Sequence, residues 1–257
     1  MNKKKTLLTF AGFDPSGGAG VLLDVNTFCS LGFHGTAVIT SLTVQNTEGV
    51  LSTFYPPSEF VWEQYKALKE DMPLSGIKMG MLGSVENLSI LSRILSDQID
   101  IPKVVDPVFR STSGTWLFDK DAIPEFIEHI RDNVSLLTPN THEAALIAGV
   151  PIEDTEGMKI AAEQIYGTCG SPCLITGGQI EDTVSDILYD GHTFHHYKNK
   201  IIAKKVHGTG CFLSSSILCN LAAGNPLEEA CAKAISATRE AIKKAESIGR
   251  GQHIIIF

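Results

Sequence analysis

The sequence predicts an α/β fold of three layers, in which a mostly parallel central sheet is covered by helices on both faces. Short apolar strand patterns alternate with helical patterns from Lys5 onward, which is typical of a sheet built from βαβ units. Most of the predicted strands end in glycine, amide or acidic residues. Because ligands bind beyond the carboxyl ends of the strands in such sheets, we expect one site at that edge.

The length and composition favour a single globular domain. With 257 residues, of which 43% are hydrophobic and 19% charged, the chain can bury a large core, and we expect residues 1–257 to form a single domain. The formal net charge of −8 argues against broad nucleic-acid binding, which needs a basic face. An anionic substrate would therefore need local donors such as backbone N–H groups.

Targeting signals and disulfides are not expected. The apolar stretch after the basic start of the chain breaks at Gly12 and Asp14, so it is too short for a secretory signal and we interpret it as the first strand. No apolar run approaches the ~20 residues of a membrane helix. The closest cysteines, Cys169 and Cys173, lack a zinc spacing. We expect reduced thiols in a cytoplasmic protein.

In the first half of the chain, strands are predicted at 5–11, 35–44, 50–55 and 76–79, with helices after Val21, after Pro57 and from 84 to about 96. The glycine-rich loop 12–20 follows the first strand. It is neither a Walker A loop nor a dinucleotide fingerprint, and Gly17 and Gly18 make it a candidate lid. Asp24 either points back towards this loop or is an ordinary solvated carboxylate.

Three later strand ends carry candidate binding residues. Gln45 follows the second strand, where an uncharged amide suits a neutral polar ligand and equally an ordinary turn. Met81 can cover the flat face of a ring or simply pack. Asp106 follows a buried strand at 103–105, a position suited to Mg²⁺. These ends are expected to converge.

The second half supplies strands at 135–137 and 173–176, a hairpin at 185–197, and a helix that starts at a cap formed by Asn225-Pro226 and runs to about 247. Asn140 and Glu143 stand three residues apart at the start of a helix and share a face. Such oxygens suit a metal and phosphate site, although helix capping explains Asn140 equally well.

The glycine turn 207–210 opens another predicted helix. Its unpaired N–H groups and helix dipole suit a phosphate or another developing anion. Cys211 lies at this helix tip, which lowers the pKa of a thiol below its free value of roughly 8.5. A buried cysteine that packs as a small hydrophobe is the alternative.

Six segments carry a resemblance to a known family: AGFDPSGGAG (11–20), QNT (45–47), GML (80–82), DPV (106–108), TPN with Glu143-Ala144 (138–144) and HGTGC (207–211). Together they resemble the hydroxymethylpyrimidine/phosphomethylpyrimidine kinases of thiamine biosynthesis, which have the ribokinase-like fold. The resemblance covers nearly the whole chain. Its first and last segments together are specific to this family and its vitamin B6 kinase relatives.

The resemblance implies a site. The residues expected around the pyrimidine are Gly12, Asp24, Gln45, Met81 and Val108. Those expected to form the anion hole for the transferred phosphoryl group are Gly208, Thr209 and Gly210. Cys211 would stand where related sugar kinases carry an aspartate base. Those expected to organise Mg²⁺ and the phosphates of ATP are Asp106, Asn140 and Glu143.

Four positions depart from the family pattern. Thr176 and Gln179 stand where a lysine and a histidine are expected around the paired glycines, and Val206 replaces a threonine. Thr112 replaces a second lysine, with Arg110 nearby. The loss of fixed positive charge near the phosphates could lower the rate or shift the substrate from a phosphate ester to a free alcohol.

Three functions follow from these expectations. The first is an ATP-dependent kinase, with Mg²⁺, that phosphorylates 4-amino-5-hydroxymethyl-2-methylpyrimidine; whether its monophosphate is also a substrate stays open. The second is a pyridoxal or pyridoxine kinase. The third is a pyrimidine-binding protein that has lost catalysis, as the threonines at 112 and 176 suggest. We expect a homodimer, although the residues alone do not determine the number of subunits.

Overall fold

The computed structural model describes residues 4–98, 100–111 and 114–257. Thr112, at one of the positions that depart from the family pattern, lies outside them. The strands of the main sheet are β1 (Thr6–Phe13), β2 (His34–Asn46), β3 (Gly49–Phe54), β4 (Leu74–Met79), β5 (Lys103–Val105), β6 (Leu136–Leu137), β7 (Cys173–Ile180), β8 (Thr183–Tyr189) and β9 (Phe194–Lys200).

The strand order is β3-β2-β1-β4-β5-β6-β7-β8-β9 across the described chain. The six strands from β2 to β7 in this order run parallel. Antiparallel strands lie at both edges, where β3 pairs with β2 and the hairpin of β8 and β9 extends β7. The predicted mostly parallel sheet and the predicted hairpin are therefore confirmed.

Helices cover the sheet, as predicted. They are α1 (Gly20–Ser30), α2 (Ser58–Asp71), α3 (Asn87–Asp97), α4 (Ile123–Ile130), α5 (Thr141–Ala148), α6 (Thr155–Cys169), α7 (Thr209–Ala222) and α8 (Leu227–Lys244), with a short 3-10 helix at Lys120–Ala122. The sequence patterns had indicated neither α4 nor α6. The predicted cap of α8 is wrong, because Pro226 is the N-cap residue and the Asn225 side chain donates to the carbonyl of Asn220.

The two faces of the sheet carry separate cores. Neighbouring strand residues point to opposite faces, so Leu7 and Val104 pack with α1, α7 and α8, while Leu8 and Val105 pack with α2, α3, α4 and α6. All four of these strand residues are buried. Because both faces of the sheet are buried, the strands are continuous apolar runs in the sequence. The sheet and the helices on its two faces form three layers.

A small second sheet ties the end of the described chain to the main one. β10 (Val206–His207) and β11 (His253–Ile254) pair in parallel. The N–H groups of Gly251 and Gln252 donate to Oγ1 and the carbonyl oxygen of Thr47, at 3.1 and 3.0 Å. Thr47 lies in the turn between β2 and β3, so this strap holds that turn against the residues before α7.

No helix within the described residues has both the length and the apolar character needed to cross a membrane.

Candidate active site

Two cavities lie at the carboxyl ends of the parallel strands and meet at the start of α7. Their volumes are about 340 Å³ and about 280 Å³, and we call them the first and the second cavity. Thr176 and Gly177 of β7 and Thr209 and Gly210 of α7 line both. A group that moves between the cavities therefore passes the first turn of α7.

The first cavity brings together almost all of the predicted site residues. Its wall includes Gly12, Gln45, Met81, Asp106, Val108, Asn140, Glu143, Gly208, Thr209, Gly210 and Cys211. These residues come from the ends of different strands and from the tip of α7, as the rule for parallel sheets predicts. Asp24, in contrast, lies beneath the cavity.

The tip of α7 is built on a glycine that no other residue can replace without strain. Gly208 is the N-cap residue and has a φ of 79°, a left-handed conformation that favours glycine. A Cβ atom added there would lie 2.0 Å from the carbonyl oxygen of Gly18. The glycine-rich loop 12–20 therefore packs directly on the turn, and the first N–H groups of α7, which lack partners within the helix, remain available to an anion.

Cys211 lines the first cavity as predicted, but the predicted direction of its pKa shift is wrong. Burial of the thiol, together with the nearby carboxylates of Asp24 and Asp106, raises its pKa to about 12, although Lys78 and the N–H group of Gly20 act in the opposite direction. The helix tip acts on the thiol, but desolvation and negative charge outweigh it. The resting side chain is therefore a thiol and not a thiolate.

Asp24 is a buried support and not part of the cavity wall, contrary to the prediction. Its carboxylate pairs with Nζ of Lys78 at 2.8 Å, and both side chains are fully buried. Thr9 Oγ1 donates to Oδ2 and Ser215 Oγ donates to Oδ1, at 2.7 and 2.9 Å. The carboxylate oxygens are thus occupied by protein donors. Lys78 itself reaches the first cavity, a role that the sequence analysis missed.

Two buried acids stand at the far side of the first cavity. Burial raises the pKa of Asp106, against the opposing effects of Lys78 and of the Ser214 hydroxyl, which lies 3.2 Å away. Burial and the charge of Asp106 raise the pKa of Glu143 to about 8. Two acids that each disfavour the charge of the other make a site that gains from a cation.

Asn140 serves the helix, which was one of its two predicted roles. Its side-chain oxygen accepts from the N–H groups of His142 and Glu143, at 2.9 and 3.0 Å, while Oε2 of Glu143 accepts from the N–H group of Asn140 at 2.9 Å. This is a capping box at the start of α5. The prediction of Asn140 as a metal ligand is therefore not supported, because its amide oxygen is already engaged.

The remaining oxygen ligands fit Mg²⁺ only together with those of a substrate. Within residues 4–98, 100–111 and 114–257, no three His, Cys, Asp or Glu side chains form a preformed metal site. Mg²⁺ usually binds through one or two carboxylates and completes its shell with water and substrate phosphates. Asp106 and Glu143, as buried carboxyl groups beside the helix tip, match that pattern.

Gly12 and Met81 form one flat side of the first cavity. A Cβ atom at Gly12 would lie 2.7 Å from Oγ of Ser41 and 3.0 Å from Sδ of Met81, so only glycine fits against these side chains. The Ser41 hydroxyl in turn contacts the Met81 sulfur at 3.4 Å. A thioether held beside a bare backbone suits the face of an aromatic ring.

An acid and a histidine, to which the sequence analysis gave no role, connect the glycine-rich loop to the α7 turn. Nε2 of His207 lies 3.1 Å from Oδ2 of Asp14 and 3.1 Å from Nε2 of Gln45. Burial raises the pKa of Asp14, but hydrogen bonds from His207 and Ser16 outweigh that effect and lower it. Asp14 is therefore a carboxylate that accepts hydrogen bonds.

Two of the positions that depart from the family pattern, Thr176 and Gln179, lie at the cavities. Thr176 lines both, and Gln179 lines the second. Val206 is buried in β10. Arg110 lines the first cavity, and its guanidinium lies over the ring of Trp116 at 4.5 Å from the centroid. Arg110 is thus a cation at the cavity even where Thr176 is neutral.

The second cavity was missed by the sequence analysis. It lies between the strands that follow Gly177 and the helices α7 and α8, and its wall mixes apolar, polar and basic side chains with one acid: Val184, Asp186, Ile201, Ile202, Lys204, Leu213, Ile235, Thr238, Arg239 and Ile242. The four residues from α8 are spaced i, i+3, i+4 and i+7, so they form one face. That spacing reads as ordinary core packing in a sequence, which is why it gave no functional signal.

Two pyrimidine kinases are similar to this chain over almost its full length. The hydroxymethylpyrimidine/phosphomethylpyrimidine kinase of Aquifex aeolicus (strain VF5) is 40% identical over 252 residues, which are 97% of this chain and 99% of that relative. The crystal structure of phosphomethylpyrimidine kinase from Clostridium difficile 630 is 34% identical with a TM-score of 0.82, covering 93% of this chain and 100% of that one.

A vitamin B6 kinase also has the same fold. The pyridoxal kinase from Staphylococcus aureus in complex with AMP-PCP and pyridoxal is 26% identical with a TM-score of 0.88, covering 99% of this chain and 93% of that one. The predicted ribokinase-like fold and the predicted family resemblance are both confirmed. Because the profile of phosphomethylpyrimidine kinases matches residues 14–255, in agreement with these relatives, the chain belongs to the phosphomethylpyrimidine kinase family.

Proposed function

We propose that this enzyme transfers the γ-phosphoryl group of ATP to the hydroxymethyl group of 4-amino-5-hydroxymethyl-2-methylpyrimidine, in thiamine biosynthesis. One observation carries the proposal: the two cavities meet at the unpaired N–H groups of α7, between Thr176-Gly177 and Thr209-Gly210. The alcohol would occupy the first cavity and the nucleotide the second. The migrating phosphoryl group would then lie at the helix tip.

The chain's contribution to this transfer is position and charge. Phosphoryl transfer has a loose transition state whose charge is spread over the oxygens of the phosphoryl group, so donors fixed in advance provide most of the catalysis. The N–H groups of Thr209 and Gly210 are such donors. Asp106 and Glu143 would hold Mg²⁺, which neutralises phosphate charge when bound.

We propose that Cys211 accepts the proton of the substrate hydroxyl. The thiol is protonated in the resting protein because Asp24 and Asp106 oppose its ionisation. Neutralisation of the charge on Asp106 would remove one of these two effects, while Lys78 would continue to favour the thiolate. We therefore expect Cys211 to become a base only in the loaded site, and Cys211→Ala to lower kcat far more than it weakens pyrimidine binding.

The nucleotide would lie against α8. The apolar residues Ile235 and Ile242 suit an adenine ring, and Lys204 and Arg239 bring positive charge to the same cavity. The AMP-PCP bound to the related pyridoxal kinase is an analogue of ATP, which supports ATP as the phosphoryl donor.

The proposal extends to the unit that works and to where it works. We infer that residues 1–257 act as one kinase domain, in keeping with the family match over 14–255. We also infer a homodimer, supported by exposed apolar side chains on the edge strand β3 and its neighbour β2, among them Val44, Leu51 and Phe54. A cytoplasmic location agrees with the predicted reduced cysteines.

A pyridoxal or pyridoxine kinase is the second candidate, because the pyridoxal kinase in complex with pyridoxal has the same fold at a TM-score of 0.88. A binding protein without catalysis is the third, motivated by Thr176 in place of a lysine. The test is steady-state phosphorylation of the pyrimidine alcohol, its monophosphate and pyridoxine side by side with ATP and Mg²⁺. We expect the pyrimidine alcohol to have the highest kcat/KM.

Preferred turnover of pyridoxine would overturn the first candidate in favour of the second. Calorimetric binding of the pyrimidine with no ATP consumption would favour the third. If the monophosphate is turned over faster than the alcohol, Thr176 has not removed the recognition of a phosphate ester, and Arg110 becomes the cation to substitute next.

A further inference from the structure

The side-chain amide of Gln45 lines the first cavity, where it can form hydrogen bonds with the substrate. An amide can lie in two orientations related by a 180° turn that exchanges its oxygen and nitrogen. In the structure, Nε2 of Gln45 lies 3.1 Å from Nε2 of His207. Oε1 of Gln45 lies 3.1 Å from Oγ1 of Thr43. Each contact requires one hydrogen atom from one of its two partners.

The contact with His207 conflicts with that orientation. Nε2 of His207 also lies 3.1 Å from Oδ2 of Asp14, which is a carboxylate oxygen and can only accept. Nε2 of His207 must therefore carry the hydrogen atom that Asp14 receives. A ring nitrogen that carries a hydrogen atom cannot also accept one from the amide nitrogen of Gln45. Two donors would face each other at 3.1 Å.

The contact with Thr43 conflicts with it independently. The Thr43 hydroxyl has one hydrogen atom. The carbonyl oxygen of Phe13 lies 2.9 Å from Oγ1 of Thr43 and can accept that hydrogen atom. The oxygen of Gln45 at 3.1 Å would need the same hydrogen atom. If Thr43 donates to Phe13, its remaining contact must be as an acceptor, and it then requires an N–H group of Gln45.

We propose that Asp14 and His207, together with Thr43, hold the Gln45 amide in the turned orientation, with Oε1 towards His207 and Nε2 towards Thr43, and so fix how the enzyme reads the aminopyrimidine edge. The rotation removes both conflicts, because Nε2 of Gln45 then donates to Thr43, while Oε1 shares the one hydrogen atom of His207 Nε2 with Oδ2 of Asp14. His207 and Thr43 are then positioning residues for the substrate, in addition to any role in joining the loop to α7.

The consequence for specificity rests on the proposed function. An aminopyrimidine presents a ring nitrogen that accepts beside an amino group that donates. The turned amide retains one N–H and one oxygen lone pair beyond its contacts with Thr43 and His207, so it offers the complementary donor and acceptor in one fixed order. A pyridine alcohol without an amino group lacks the donor for this pair. The turned amide therefore favours the aminopyrimidine over a pyridine alcohol, and it favours one orientation of the pyrimidine ring in the cavity.

The orientation itself is tested by NMR without any substrate. In protein labelled with ¹⁵N, we expect Nε2 of His207 to carry a proton at pH 7.5, with the resonance assigned by its loss in His207→Asn. We also expect nuclear Overhauser contacts from the Gln45 amide protons to the Thr43 methyl group. An unprotonated Nε2, or contacts from these amide protons to the His207 ring in place of Thr43, would overturn the proposal.

The effect on specificity is tested by kinetics. In Thr43→Val we expect the KM for the pyrimidine alcohol to rise about tenfold, the usual effect of one hydrogen bond, with kcat and the KM for ATP changed by less than about twofold. Thr43→Ser retains the hydroxyl and should restore the KM. Thr53→Val, the cross-strand partner of Thr43 in the register of β2 and β3, is the matched control.

An unchanged KM for the alcohol in a Thr43→Val protein with the melting temperature of the wild type would overturn the role in specificity. If the wild type phosphorylates no pyrimidine at all, the proposed function has failed. The NMR measurements would still decide the orientation of the amide, so the two failures are distinguishable.

Discussion

Nζ of Lys78 lies 2.8 Å from Oδ2 of Asp24, and neither side chain is exposed to solvent. The pair connects β4 with α1, and the hydroxyl groups of Thr9 and Ser215 bring β1 and α7 into the same network. A buried charge that loses its partner is strongly destabilising, whereas removal of both charges is often tolerated. The ion pair is therefore a support on which the first cavity is built.

Substitution of one partner of this pair should be worse than substitution of both. We expect Lys78→Met to lower the free energy of unfolding by about 3–5 kcal/mol, the usual effect of leaving a buried charge unpaired, and Lys78→Met with Asp24→Asn to recover part of it. Urea denaturation measures both. Lys69→Met, in the more exposed pair of Lys69 with Asp97, should change stability by less than about 1 kcal/mol. Additive losses at Lys78 and Asp24 would show that the two are not coupled.

The reactivity of Cys211 should follow the charges around it. Because Asp106 raises and Lys78 lowers the pKa of this thiol, Asp106→Asn should speed its alkylation by iodoacetamide at pH 8, and Lys78→Met should slow it. Mass spectrometry can follow the modification of Cys211, with the exposed Cys29 as an internal reference. Equal alkylation rates in the three proteins, relative to Cys29, would contradict the assigned cause.

Glu143 should make stability depend on pH. Its pKa is raised to about 8, so the folded state holds a proton that the unfolded state releases near pH 4.5. This contribution is largest below pH 4.5 and is lost as the pH rises through about 8. Between pH 6 and 9 the wild type should therefore lose at least ~1 kcal/mol more of its free energy of unfolding than Glu143→Gln. Parallel losses in the two proteins, measured by denaturation at each pH, would count against the shift.

Two glycines with similar backbones should respond differently to alanine. Gly208 and Gly32 both have positive φ, 79° and 91°, but only at Gly208 would a Cβ atom meet another residue within 4 Å. Gly32→Ala should cost about 1 kcal/mol of stability with normal kcat/KM. Gly208→Ala must also move the loop at Gly18, so we expect a loss of about 100-fold in kcat/KM, since a displacement of about 1 Å can cost that much. Equal activities would exclude this close approach.

Most of the fold could be predicted because its signals are local. Strand runs such as that ending at Val105, and the glycine, amide and acidic residues that follow them, are visible in the sequence and fix which edge of the sheet carries the site. α4 and α6 were missed although each has a start signal, Pro124 in the first turn of α4 and Asp154 as the N-cap of α6. A start signal indicates a helix only together with an apolar face, such as the one that Phe126, Ile127 and Ile130 form in α4.

The site was predicted in its membership more than in its roles. Local patterns indicate that Asp24 and Cys211 lie near helix starts, but their surroundings come from remote parts of the chain. Lys78 is 54 positions from Asp24, and Asp106, which raises the pKa of Cys211, follows β5. The sequence indicates the dipole of α7, which lowers the pKa of the Cys211 thiol, but not the burial, which raises this pKa by more. Charge and solvation at a site depend on tertiary contacts, which no local pattern contains.

The strap from Gly251 and Gln252 to Thr47 has a consequence for biosynthesis. The strap lies beside both Gln45 and His207, which are far apart in the sequence and are therefore synthesised at different times. β11 follows the other described strands along the chain. A nascent polypeptide can pair the parallel strands as they emerge, yet it cannot complete the wall around the substrate until β11 has left the ribosome. We therefore expect ligand binding only after β11 has emerged and paired with β10.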